Sequence, residues 1–203
     1  METMEARMVK LYARNNNHVA LHAIPGHFAT SHSHINFYID MTSLKTRANE
    51  AQEVAKSLAG DYVNSTVVDT IVCMDGTEVV GAYLAQEFEK RGFRNTNLHD
   101  TIYVVTPEYN ANNQLIFRDN TIPAIKGKNV ILLLATTTTG LTVRRSLECV
   151  QYYGGTVHGI SSIFSIVKKV GGMEVHSVFN ADDVPGYQAF GRDECPYCKK
   201  GFA

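Results

Sequence analysis

The chain has 203 residues, of which 44% are hydrophobic and 19% charged, as expected of a single globular domain, residues 1–203, with a sizeable core. Nineteen basic residues against twenty acidic ones leave a formal net charge of −1, which excludes a general attraction to nucleic acid or an anionic membrane and makes any anion site a local one. With no bilayer-length apolar run, charges scattered through the first residues and four cysteines too few for a disulfide framework, a cytoplasmic protein of a reducing compartment is expected.

The N-terminal portion, through "GHFATSHSHINFYID", and the short C-terminal tail read as additions to a core sheet. Alternation in a strand would place His32 and His34 of "HSH" on one face, close to His27, as a metal pair needs. From "TSLKTRANEAQEVAKSLAGDY" the spacing of Leu44, Ala48, Ala51, Val54, Ala55 and Leu58 predicts one helix, with Thr42 or Ser43 as candidate N-cap and Gly60 as its stop. The β-branched run "TVVDTIVCM" predicts a strand, Gly76 a turn and "EVVGAYLAQEFEKRG" a helix. "TIYVV" is the next strand. "TPEYNANNQLIFRDNTIPAIKGKN" follows as a long irregular loop, a feature more often functional than inert. "NVILLLA" is a strand, "TVRRSLECVQYYGG" a helix, and "TVHGISSIFSIV" and "VHSVF" further strands. Strands alternating with helices predict an α/β domain around a parallel sheet with right-handed crossovers.

In such a sheet ligands sit beyond the carboxyl ends of the strands. "ATTTTGLT" lies there: its hydroxyls and amides, with Gly140 allowing close approach, suit a phosphate monoester at the start of the next helix, or else they simply cap that helix. Arg144 and Arg145 follow one turn on and either add charge or face water. Asp75 and Glu78, in "CMDGTEVVG", read as a helix cap and a first-turn acid. Cys195 and Cys198 form one C-x-x-C, half of a structural Zn²⁺ site that histidines from elsewhere or from a dimer mate would complete, or a plain turn. Phe28, Phe37, Tyr38 and Tyr187 either stack on a base or pack an outlying lobe.

"NVILLLATTTTGLTVRRSLECVQYYGGTVHGISSIFS" resembles the phosphate-loop strand, helix and next strand of the type I phosphoribosyltransferases. "PGHFATSHSHINFYID" and the tail "DDVPGYQAFGRDECPYCKKG" resemble segments of the orotate phosphoribosyltransferases in that family. The resemblance implies a central parallel sheet flanked by helices under a small hood, built within residues 1–40 and 180–203, and a homodimer. It also implies 5-phosphoribosyl pyrophosphate (PRPP), ribose 5-phosphate or a nucleotide as ligand, with Mg²⁺ if phosphoribosyl transfer to a nucleobase takes place. The 5-phosphate would lie on residues 136–142, Thr136, Thr137, Thr138, Thr139, Gly140, Leu141 and Thr142. Where the family keeps two acids before this loop, Leu134 and Ala135 stand here, and an electrostatic contact of that kind supports about a hundredfold in rate. Asp75 and Glu78 occupy the family's pyrophosphate loop and are the candidates to replace the missing pair on ribose hydroxyls or Mg²⁺. The long loop offers Arg118 but no lysine or histidine, and Ser165 and Ile166 stand where the family tends to have an acid and an arginine. Two functions follow: a phosphoribosyltransferase of nucleobase, in the orotate enzymes pyrimidine, metabolism, or a non-catalytic sensor of a nucleotide or phosphosugar.

Overall fold

The structure, a computed structural model, describes residues 5–30, 33–90, 96, 97 and 101–201. Three strands, β1 (Val9–Ala13), β2 (Asn16–Ala29) and β3 (His34–Asp40), precede the helices α1 (Thr42–Thr46) and α2 (Ala48–Ala59). Next come β4 (Thr70–Cys73), α3 (Glu78–Glu89) and β5 (Tyr103–Val105), then the short strands β6 (Glu108–Tyr109) and β7 (Leu115–Ile116). The remainder is β8 (Asn129–Thr137), α4 (Leu141–Tyr152), β9 (Thr156–Ser165), β10 (Lys169–Val170), β11 (Met173–Asn180), β12 (Ala189–Phe190) and α5 (Pro196–Lys199).

The central sheet has the order β10-β11-β9-β8-β4-β5 and is parallel except for the edge strand β10. Both its faces are covered, so β8 can be an unbroken apolar run. Alternation sends Leu132 and Leu134 toward α4 and Val143, and Leu133 and Ala135 toward the core shared with α2 and α3. A second, antiparallel sheet, β1-β2-β3-β12, joins the two ends of the chain and forms the hood.

The helix predicted over 42–60 is two helices, broken at Arg47, which is extended at φ −88° and ψ 121°. Thr42 and Ser43 lie inside α1 and cap nothing; the Asp40 carboxylate at the end of β3 accepts the Thr42 N–H at 2.9 Å and takes the capping role. Gly60 ends α2 in a right-handed conformation, φ −56°, so the chain turns on rather than reversing. The long irregular loop contains a β6–β7 hairpin that Arg118 clamps through two contacts of 2.7 Å to Glu108. No helix among the described residues is long and apolar enough to cross a membrane.

Close approach of α3 to β4 depends on Gly81. A Cβ there would overlap Cys73 Sγ and stand 3.1 Å from Val104 Cγ1, and Cys73 is wholly buried, its thiol pushed up to about 12 by loss of solvent. Overpacking of this kind costs about 1–3 kcal/mol. Gly81→Ala is therefore expected to lower the urea midpoint by that free energy with an unchanged slope, and an unshifted midpoint would show that α3 is free to move off the sheet.

Candidate functional site

The chain runs from β4 outward to β5 on one side, and from β8 through β9 to β11 on the other. The strand order thus reverses between β4 and β8, and the loops that leave these two neighbouring strands diverge. A cavity opens there. The two loops are pinned at their roots: the Met74 N–H donates to Leu133 O at 2.8 Å, and the buried Thr77 hydroxyl bonds Met74 O and Leu133 O at 2.8 and 3.1 Å.

A cavity of about 210 Å³ is lined by Thr30, Asp75 and the run from Thr136 through Val143. Gly140, at φ 74°, turns the strand into α4, and a Cβ on it would lie 2.7 Å from Val170 Cγ2. The Thr139 hydroxyl accepts the Leu141 N–H at 3.4 Å, and the first turn of α4 carries no acid, so the positive end of the helix dipole faces the cavity. Thr137 is 2% exposed, and its Oγ1 has no hydrogen-bond partner among the described residues. A buried hydroxyl in that state costs about 1–3 kcal/mol unless something else bonds it.

The candidate acids separate. Asp75 lines the cavity in a left-handed conformation, φ 58°, and so is no helix cap; the N-cap of α3 is Thr77. While the residue as a whole stays accessible, loss of solvent raises the pKa of its carboxyl, opposed by the Lys45 charge and by the Ala135 amide. The Lys45 Nζ also donates to Asp75 O at 2.7 Å. Asp75 thus presents a carboxylate beside the backbone of Ala135, one of the two positions where an acidic pair was expected. Glu78 lies outside the cavity lining and accepts from the Thr106 hydroxyl at 3.1 Å. Leu134 is fully buried on the α4 side. Arg144 and Arg145 are exposed, and neither lines this cavity.

Thr30, Asp75, Thr136 and Thr138 are shared with an adjoining hollow of about 690 Å³ between hood and sheet, mostly apolar in its walls. Phe28, Tyr38 and Tyr187 line it, together with Phe164, Met41 and Ala135; Phe37 packs on the core instead. Phe28 meets Tyr38 at 5.6 Å and Phe164 meets Tyr187 edge-on at 5.3 Å, and burial pushes the Tyr187 phenol up to about 12. Thr30, Lys45 and Phe164 were not singled out in the sequence. Thr30 follows directly on the "GHFA" run, whereas Lys45 is hidden by the helical pattern around it.

On the hood, His27 and His34 meet Cys195 and Cys198, their ligand atoms all within 4.8 Å of one another. The sequence pairs His34 with His32, which lies outside the described residues; His27 on the neighbouring strand is the partner observed.

No protein-family model matches the chain, and no curated protein matches it in sequence. Solved structures do. Mycobacterium tuberculosis H37Rv orotate phosphoribosyltransferase is similar at 15% identity, over 81% of this chain and 93% of that one, with a TM-score of 0.54. Leishmania donovani UMP synthase is similar at 15% identity over 89% of this chain and 36% of its own length, TM-score 0.57. Rhodothermus marinus adenine phosphoribosyltransferase is similar at 12% identity, over 87% and 96%, TM-score 0.51. The fold is that of the type I phosphoribosyltransferases. Neighbours named for orotate and for adenine share it, so the fold selects no base.

The raised pKa of Asp75 has a stability consequence. Its carboxyl holds the proton more tightly folded than unfolded, so stability falls as pH rises from about 3.9, the unfolded value, through the folded one. Asp75→Asn keeps a residue at ease in the left-handed region. It should raise the melting temperature at pH 7 and leave it unchanged near pH 3; a lower melting temperature at pH 7 would mean that the Lys45 attraction outweighs the loss of solvent.

Proposed function

We propose that the chain binds a 5-phosphorylated ribosyl compound, ribose 5-phosphate or a nucleoside monophosphate, with the phosphate on the threonine loop and a flat base in the aromatic hollow. The observation that carries this reading is the threonine-lined cavity at the acid-free first turn of α4, with the unpartnered Thr137 hydroxyl buried in its wall. A phosphate oxygen would satisfy that hydroxyl and the helix amides together. Asp75 lines the same cavity, and its carboxylate would repel the extra charge of a pyrophosphate, which favours a monophosphate over PRPP. The lining of the hollow favours an uncharged base over orotate: Lys45 is already committed to Asp75 O, and an unpaired carboxylate in an apolar pocket is costly. The chain then acts as a sensor or regulator in nucleotide metabolism, and a homodimer belongs to the same reading.

A second reading rests on Asp75. Mg²⁺ is often held by one or two carboxylates plus substrate phosphates, and Asp75 supplies one in the cavity wall. With the metal bound, the same carboxylate would offset the repulsion of PRPP and reach ribose hydroxyls, and phosphoribosyl transfer becomes feasible at a reduced rate.

Thermal-shift titration separates these readings. Ribose 5-phosphate, AMP and UMP are expected to raise the melting temperature, by the equivalent of about 2.7 kcal/mol at a hundredfold excess over Kd. The nucleosides are expected to do nothing. Thr137→Val removes the hydroxyl while keeping shape; it should weaken these ligands about 10- to 100-fold yet leave the unliganded protein as stable or more so. Equal affinity in the variant would sink the binding proposal. For transfer, pyrophosphate release from PRPP, Mg²⁺ and a nucleobase should vanish in Asp75→Asn. If no base supports release in the unaltered protein while monophosphates still bind, the enzyme reading fails and the sensor remains.

A further inference from the structure

The hood carries four side chains that none of the preceding chemistry uses. β2 and β3 pair in register from His22↔Asp40 to Pro25↔Phe37, and the register then slips, so that Gly26 and His27 together face the single residue Asn36. A bulge of this kind re-aims a side chain. His27 is the residue it re-aims, and its ring stacks on Tyr197 at 5.4 Å. His34 opens β3, paired with Ala29 on one side and with Phe190 of β12 on the other. Pairing with β12 brings the C-terminal tail alongside, and the turn into α5 presents Cys195, fully buried, and Cys198.

The distances among these atoms are those of a coordination shell. His27 Nε2 lies 3.0 Å from His34 Nδ1, 3.4 Å from Cys195 Sγ and 3.6 Å from Cys198 Sγ, and Cys198 Sγ lies 3.1 Å from His34 Nδ1. Tetrahedral zinc, with bonds of about 2.3 Å to sulfur and 2.0–2.1 Å to nitrogen, requires ligand-to-ligand edges of roughly 3.3 Å between nitrogens and 3.6 Å between nitrogen and sulfur. These four edges fall within about 0.5 Å of the tetrahedral values, and the remaining two, from Cys195 Sγ to His34 and to Cys198, are within 4.8 Å. Hydrogen bonding alone explains the convergence less well, because one ring nitrogen makes a single in-plane hydrogen bond, as donor or as acceptor, and His27 Nε2 has three such neighbours.

We infer that His27 Nε2, His34 Nδ1, Cys195 Sγ and Cys198 Sγ bind one Zn²⁺ per chain as a structural site. Two thiolates with two imidazoles in tetrahedral array select zinc over hard cations, and four protein ligands leave no open position for catalysis. The ion ties residues 168 positions apart, closing the tail onto the hood. It also fixes the strand that continues into Phe28, Ala29 and Thr30, which wall the ligand cavities. The inference is independent of which ligand those cavities take.

Metal analysis of protein purified without chelator should give about one zinc per chain, in keeping with a four-ligand site. Replacement by Co²⁺ should give the intense visible bands of tetrahedral cobalt and a sulfur-to-cobalt charge-transfer band. Chelation should then make Cys198, the exposed thiol, reactive toward thiol reagents, whereas Cys73, Cys149 and Cys195 are buried. Cys198→Ser and His34→Gln should each weaken Co²⁺ by at least about 100-fold, the upper end of what even outer-shell changes cost. Zinc-free protein that gives no cobalt bands under reducing conditions would overturn the site, as would cobalt affinity unchanged in both variants. A Cys195–Cys198 disulfide that regains no metal on reduction would count equally against it. The cobalt spectrum of the unaltered chain decides the matter even if a variant fails to fold.

Discussion

The reversal of strand order between β4 and β8 is the constraint on which the remaining features depend. Because the chain leaves β4 toward one edge and β8 toward the other, α3 and α4 start on opposite faces, and the loops that feed them cannot close over the gap between the strands. Polar atoms at the ends of these strands would otherwise be free to splay. Thr77 and the Met74 amide hold them to Leu133 O, so the gap is a rigid, shaped cavity. Backbone hydrogen bonding at the strand ends thus defines the space, and side chains decide what can enter it.

The cavity stores unfavourable terms in one place. Thr137 buries a hydroxyl without a partner, Asp75 holds a carboxylate in a left-handed backbone conformation against loss of solvent, and the first turn of α4 carries no acid. Elsewhere β8 alternates its leucines cleanly between two apolar clusters and glycine is used where a helix must come close to the sheet, while His22, Ser43 and Ser146 each bury one polar atom without a partner among the described residues. Local penalties of different kinds that sit together in one cavity are what a ligand site looks like before the ligand contributes its half of the bonds.

The hood solves a different problem. Its first three strands bury Ala13, Val19, Leu21, Ala23 and Ile39 in the main core, but its last strand, of two residues, comes from the far end of the chain. Pairing over so few residues gives little cooperative stability. A cluster of two imidazoles and two sulfurs gathers at that junction, and its His27 also lines the aromatic hollow.

Much of the main sheet was legible in the sequence because its signals are local. Apolar runs bounded by glycine, helical spacing and the "TTTTGLT" loop each state their own conformation within about ten residues, and the fold class and the place of the threonine loop follow from them. Other features were not legible, for a common reason. The Glu108 clamp on Arg118 and the partnership of His27 with Cys195 each depend on a residue that only chain folding brings near. Asp75 shows the limit most clearly. Its residue type fits a helix cap as well as a cavity wall, and only a positive φ with the Ala135 amide beside its carboxyl distinguishes the two. The sequence by itself determined which elements form and which loop can hold an anion, because periodicity and backbone preference act between near neighbours. The tertiary structure alone decided which acid enters the cavity and which histidine joins the cysteines, because register, bulges and strand order set distances between residues that carry no mark of one another in the chain.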